Sequence, residues 1–191
     1  MQEKVIIQKV LEGGHEHYAH LVRKYQNLVF LVCMGFVHNE EDANDLTQEI
    51  FINAFQKLHS FDGRAKFSTW LYRIAVNAAL NAQRKKSRWR FFSLMDGRLE
   101  KPAQDDNWIL PSEDDDPEQA MINHQERQLI EQAIDGLPEK QRTAFVLSKY
   151  DDLPQREIAA IMNTSEGSVE QLLLRAKANL QKKLVPFYKK K

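Results

Sequence analysis

The chain has 191 residues, 42% of them hydrophobic, a formal net charge of zero, 7 glycines and 6 prolines. That length accommodates one domain or two small ones with compact cores, and sparse Gly and Pro favour helices over sheets. The single Cys33 excludes an intramolecular disulfide, and the longest apolar run, Leu28–Val37, is too short to cross a bilayer.

The start, QEKVIIQKVLEGG, mixes charges into a short apolar run, unlike a secretory signal, so a cytoplasmic protein is expected. A short helix is predicted over Glu3–Glu12, stopped by Gly13-Gly14. From about His15 to His38, Leu21, Tyr25, Leu28, Val29, Val32 and Phe36 recur at three- and four-residue steps, the period of an amphipathic helix. Asn39 caps the next helix, with Glu40, Glu41 and Asp42 in its first turn, where the helix dipole favours acids. That helix runs to about His59 over Ala43, Leu46, Ile50, Phe51, Ala54, Phe55 and Leu58. Phe61–Phe67 is a loop around Gly63. Ser68 then starts a helix to about Lys86 whose inner face is Leu71, Ile74, Ala75, Ala78 and Ala79, with Trp70 in the core.

Arg88–Asp116 has no sustained period and reads as a linker. Helix resumes at Asp116-Pro117-Glu118-Gln119, which combines a cap, a first-turn proline and a capping-box glutamine. It ends near Gly136, and Pro138 opens another helix to about Tyr150. Pro154 starts a short helix over Gln155–Met162, Asn163 and Thr164 break it, and Ser165 caps a second helix by accepting from the Ser168 N–H. Val169, Leu172, Leu173, Ala176 and Leu180 form the inner side of that second helix; Ser168, Gln171, Arg175 and Lys177 lie on or beside the other. The pattern is that of a helix-turn-helix, with Arg175 and Lys177 suited to phosphates and Ser168 and Gln171 to base edges; an ordinary helical hairpin has the same periodicity.

The zero net charge conceals sorting along the chain. Residues 1–90 carry +4, residues 91–120 carry −7 and residues 121–191 carry +3. Within the first block, residues 38–60 are at −4 and residues 61–90 at +7, the latter interleaved with Phe61, Phe67, Trp70, Tyr72 and Trp89. A basic, aromatic surface suits nucleic acid, and an acidic helix beside it suits a different, protein partner. Asp45 and Glu49 are one helical turn apart, so both carboxylates can meet arginines. No His or Cys joins them at a ligand spacing, and of His15, His17 and His20 only the last two share a face, so neither a metal nor a cofactor is expected.

Three blocks, in order, carry a family resemblance: DANDLTQEIFINAF at Asp42–Phe55, FDGRAKFSTWLYRIAVNAALNAQRK at Phe61–Lys85, and LPEKQRTAFVL with EIAAIMNTSEGSVEQLLLRAK between Leu137 and Lys177. The chain resembles the extracytoplasmic-function (ECF) branch of the sigma-70 family of bacterial RNA polymerase initiation factors. The resemblance implies an all-α protein of two small helical domains: region 2 over residues 1–90 and region 4 over 118–191, joined by an acidic flexible linker at 91–117. It implies that Asp45, Gln48 and Glu49 dock on the clamp helices of the polymerase largest subunit, with the flap of the second-largest subunit as a further contact. It further implies that Arg64, Lys66, Asn77, Asn81, Arg84 and Lys85 read and help melt the −10 element, and that Ser165, Ser168, Glu170, Gln171, Arg175 and Lys177 read the −35 duplex. Glu170 and Leu172 stand where many members carry basic residues, and Pro154 replaces a more usual small polar residue. Glu170 repels phosphate but can accept from a cytosine amino group.

In that family neither region performs bond-making chemistry, no small-molecule substrate is expected, and an anti-sigma partner, often membrane-anchored, commonly masks the polymerase-binding surfaces. The acidic linker is either a nucleic-acid mimic threaded toward the polymerase cleft or a solvated tether. The rival to a sigma factor is a dimeric helix-turn-helix repressor or activator, which leaves the acidic helix beside the basic block unexplained. A nuclease would need convergent carboxylates or His/Cys ligands, which the sequence does not offer.

Overall fold

In a computed structural model, the described residues, 3–95 and 117–189, form α-helices and turns with no strand. The N-terminal helices, in the block expected to be region 2, are α1 (Glu3–Leu11), α2 (Tyr18–Val37), α3 (Glu40–Gln56) and α4 (Phe67–Met95). The C-terminal helices, in the block expected to be region 4, are α5 (Pro117–Asp135), α6 (Glu139–Lys149), α7 (Gln155–Met162) and α8 (Glu166–Tyr188). The predicted punctuation holds. Asn39 Oδ1 accepts from the Asp42 N–H at 2.8 Å and starts α3, α5 begins at Pro117, and Gly13 takes φ +102° to end the first helix.

Three boundaries differ from the sequence reading. His15–His17 forms a single 3₁₀ turn ahead of α2, α3 stops at Gln56 with Leu58–Ser60 in a separate 3₁₀ turn, and α4 continues nine residues past Lys86 to Met95. The inward face of α4 also differs: Leu71, Tyr72, Ala75, Val76 and Ala79 are buried, while Ile74 and Ala78 are only partly so. The cause is that α4 packs on α2 and α3 on one side and on α7 on the other, so its buried stripe is rotated toward region 4. The rest of the linker, residues 96–116, lies outside the described residues.

Region 2 closes around Phe36, Phe67, Leu21, Ile50, Leu58, Leu71, Val29 and Val32, all essentially inaccessible. Trp70 packs in this core on Phe61 and Phe67, with ring centroids 5.6 and 5.4 Å away. Cys33 is buried as a small hydrophobe, and burial raises its thiol to about 11. Region 4 has a core of its own, Ala133, Ile134, Leu137, Ala176 and Leu180. Its other apolar residues, Ala144, Val146, Leu147, Ile158, Ala159, Ile161 and Val169, are continuous with the core of region 2. The two regions are therefore docked.

Gly35 makes the docking possible. A Cβ there would lie 2.5 Å from Val146 Cγ1 and 3.3 Å from the Tyr150 ring, so α2 and α6 approach as only glycine allows. Polar bonds surround this contact. Asp135 Oδ1 accepts from Gln83 Nε2 at 2.8 Å and lies 3.2 Å from His38 Nε2, while Gln83 also reaches the Phe36 carbonyl at 2.8 Å.

Candidate nucleic-acid interface

The helix-turn-helix forms as its residues dictate. Asn163 adopts the left-handed conformation at φ 51°, which its short polar side chain tolerates, and the Thr164 N–H donates to the Ala159 carbonyl at 2.9 Å. Ser165 Oγ accepts from the Ser168 N–H at 3.2 Å, and the two hydroxyls are 2.9 Å apart, so both serines belong to the cap of α8. Beyond the cap, Val169, Ala176 and Leu180 face inward, and Glu170, Gln171, Arg175 and Lys177 are exposed. Leu174 is exposed too, at 55%, in the middle of this polar face; sequence reading passed over it.

The basic block of region 2 is in a different state. Arg64 stays in its own loop: its backbone N–H and Nε donate to the Asp62 carboxylate at 3.0 and 2.6 Å, which holds that carboxyl below its usual range. Lys66 Nζ is 3.0 Å from Glu157 of α7. Arg73, which the sequence analysis left off its site set, donates to the carbonyls of Ile161 and Ala160 at 3.2 and 2.6 Å. Arg84 grips Glu139 of α6 through two bonds of 2.7 Å, which hold the guanidinium above and the carboxyl below their ordinary pKa values, so both stay charged. Asn81 Oδ1 accepts from the same guanidinium at 3.4 Å. Asn77 lines a cleft of about 490 Å³ with Leu80, Glu139, Thr164 and Leu172, and Lys85 is exposed. Lys66, Asn77 and Arg84 thus converge under region 4, whereas Arg64 bonds within its loop.

On α3, Asp45, Gln48 and Glu49 are all exposed, with Ala43, Leu46 and Ile50 buried behind them. Gln48 borders a groove of about 1100 Å³ between α2 and α3, floored by Tyr18, Val22, Phe30 and Phe55 and edged by Ile52, which is 60% exposed. His17 and His20 stack with centroids 6.3 Å apart; among the described residues no three His, Cys, Asp or Glu are grouped to hold a metal ion. No described helix is long and apolar enough to cross a membrane.

A family model for Sigma-70 region 2 matches residues 21–89, and one for Sigma-70 region 4 matches residues 127–180. The ECF RNA polymerase sigma-E factor of Escherichia coli is 34% identical over 190 residues, covering 100% of this chain and 98% of that protein. The RNA polymerase sigma-H factor of Pseudomonas aeruginosa is 32% identical over 185 residues, covering 97% and 95%. The chain belongs to the ECF branch of the sigma-70 family. Two solved structures share this sigma factor's fold: CnrH in complex with the cytosolic domain of CnrY, with TM-score 0.64, 20% identity and coverage of 96% of this chain and 97% of that one; and the sigma factor RpoE of Bartonella quintana in complex with the anti-sigma factor NepR, with TM-score 0.60, 22% identity and coverage of 87% and 96%.

Proposed function

We propose that this sigma factor works as a cytoplasmic, non-enzymatic subunit that brings core RNA polymerase to promoters through three surfaces. The acidic face Asp45, Gln48 and Glu49, continued by the apolar groove beside Ile52, docks on the clamp helices of the largest subunit, and region 4 meets the flap. Arg64, Lys66, Asn77, Asn81, Arg84 and Lys85 take the unpaired −10 strand, cations holding phosphates and amides pairing with bases. The α8 face takes the −35 duplex: Ser165 and Ser168 at the capped end, Glu170 and Gln171 toward base edges, Arg175 and Lys177 on phosphates. Leu174 adds an apolar contact suited to a thymine methyl. The observation that carries this reading is the co-occurrence of region 2 and region 4 along one chain, with the α3 and α8 faces exposed.

An anti-sigma partner fits the same surfaces, since covering the α2–α3 groove would block polymerase; the Bartonella sigma factor was solved with an anti-sigma factor, and CnrH with the cytosolic domain of CnrY. Run-off transcription with core polymerase tests the proposal. Discrete new transcripts that disappear when Asp45 and Glu49 are changed to Lys are the expected result. Tight dimeric binding to duplex DNA, with no polymerase association, would overturn it in favour of a repressor or activator.

A further inference from the structure

A carboxylate with no cation beside it is wedged into the seam between the two regions. Asp151, in the loop joining α6 to α7, meets the Tyr72 hydroxyl of α4 through a long bond of 3.4 Å from Oδ1. Its Oδ2 is inaccessible and has no hydrogen-bond partner among the described residues. The groups that face it are the Cys33 thiol from α2, the Tyr72 phenol from α4, and Asp152 beside it, with Glu157 of α7 acting on the same phenol. None of these compensates a negative charge. Of these neighbours, Cys33 and Tyr72 belong to region 2 and leave with it, so undocking opens the Asp151 loop to water.

We propose that Asp151 links docking of the two regions to a proton: protonated, it lets region 4 stay closed over the −10 face, and ionised, it drives region 4 off. Ionising a half-buried carboxyl that has one long bond and an unpartnered, inaccessible Oδ2 is costly, and the protein escapes that cost by separating the regions and hydrating it. Burial lifts its carboxyl from the usual carboxylate range to about 7, with Asp152 adding to the shift and the Tyr72 bond opposing it. The closed form therefore holds a proton that the open form has released. Its contribution to closure is complete below the ordinary carboxylate range, falls as pH rises, and is gone above about pH 7. Glu139 acts in a separate window, because its lowered carboxyl supports closure until well into acid. The other titratable pair at this seam, His38 Nε2 at 3.2 Å from Asp135 Oδ1, is separated by substitution.

The proposal concerns docking alone and stands or falls independently of the DNA-reading roles. Full-length protein carrying fluorophores at Lys57→Cys and Lys182→Cys, both exposed positions on different regions, reports the separation by energy transfer. Between pH 6 and 8 the closed-to-open ratio is expected to fall about tenfold. Asp151→Asn should stay closed with a nearly flat profile, and His38→Gln should keep most of the tenfold change. A flat wild-type profile, an open protein throughout this range, or an Asp151→Asn protein that titrates like wild type would each overturn it. If Asp151→Asn does not fold, Tyr72→Phe decides: loss of the donor to the ionised form should move the midpoint to higher pH, and an unmoved midpoint overturns the proposal.

Discussion

The two surfaces that face DNA in this reading are in opposite states. The α8 face is open, with Glu170, Gln171, Arg175 and Lys177 exposed, while the region 2 face has Lys66, Arg73 and Arg84 bonded into region 4. On the proposed reading, region 4 places carboxylates and helix-end carbonyls where promoter phosphates would sit, and the docked form covers the −10 face. The donors that region 4 engages, Arg84 Nε and Nη2 on Glu139 and Arg73 Nε and Nη2 on the Ile161 and Ala160 carbonyls, are not free for phosphates while the regions are docked. Duplex contact through α8 is thus compatible with the docked form, and strand capture by region 2 requires undocking.

The largest effect is expected where docking is steric. Gly35→Val forces a side chain into Val146 and should weaken docking by about 1–3 kcal/mol, as overpacking does; energy transfer between the regions should drop while each region stays helical by circular dichroism. If the regions remain docked, the close α2–α6 approach is not what holds them. Next, Arg73→Ala removes two bonds to carbonyls at the end of α7 and should cost docking on the order of 1.5 kcal/mol. The same substitution should leave binding to a −35 duplex unchanged, and a parallel loss there would break the distinction between the two faces.

Glu139→Gln should loosen docking by less, because its pair with Arg84 is exposed, and the difference from wild type should vanish in high salt. Persistence at high salt would mean that Glu139 does more than pair charge. On the other face, Arg175→Ala or Lys177→Ala should reduce the salt dependence of −35 binding by about one counterion each, with interregional distance unaltered. The smallest effect belongs to Leu174→Ala: about 0.8 kcal/mol of preference for a −35 thymine over uracil should be lost, measured by holoenzyme binding to promoters with deoxyuridine at single positions. Binding that ignores uracil in the wild type would remove Leu174 from the reading face while leaving the others.

Much of this was legible in residues near one another in sequence. The Asn39 and Ser165 caps, the αL position at Asn163, Pro117 as a helix start and the buried side of α8 all depend on neighbours within a turn or two. The exposed α3 trio was legible for the same reason, since residues at one-turn spacing share a face wherever the helix packs. The buried stripe of α4 was not, because Tyr72 and Val76 are covered by region 4 and no period within α4 announces a second neighbour.

By itself the sequence determined the all-helical class, the order of the two regions, the helix ends and the sorting of charge into acidic and basic faces. These follow from backbone propensity, capping and periodicity, which act locally. Tertiary structure alone decided that the regions share one core, that Arg84 meets Glu139 and Lys66 meets Glu157, and that Asp151 lies half-buried against Tyr72. Those pairs join residues 55, 91 and 79 positions apart. A charge or a carboxyl carries no local mark of its distant partner; only close packing of the two apolar surfaces fixes which groups meet and which are taken out of water.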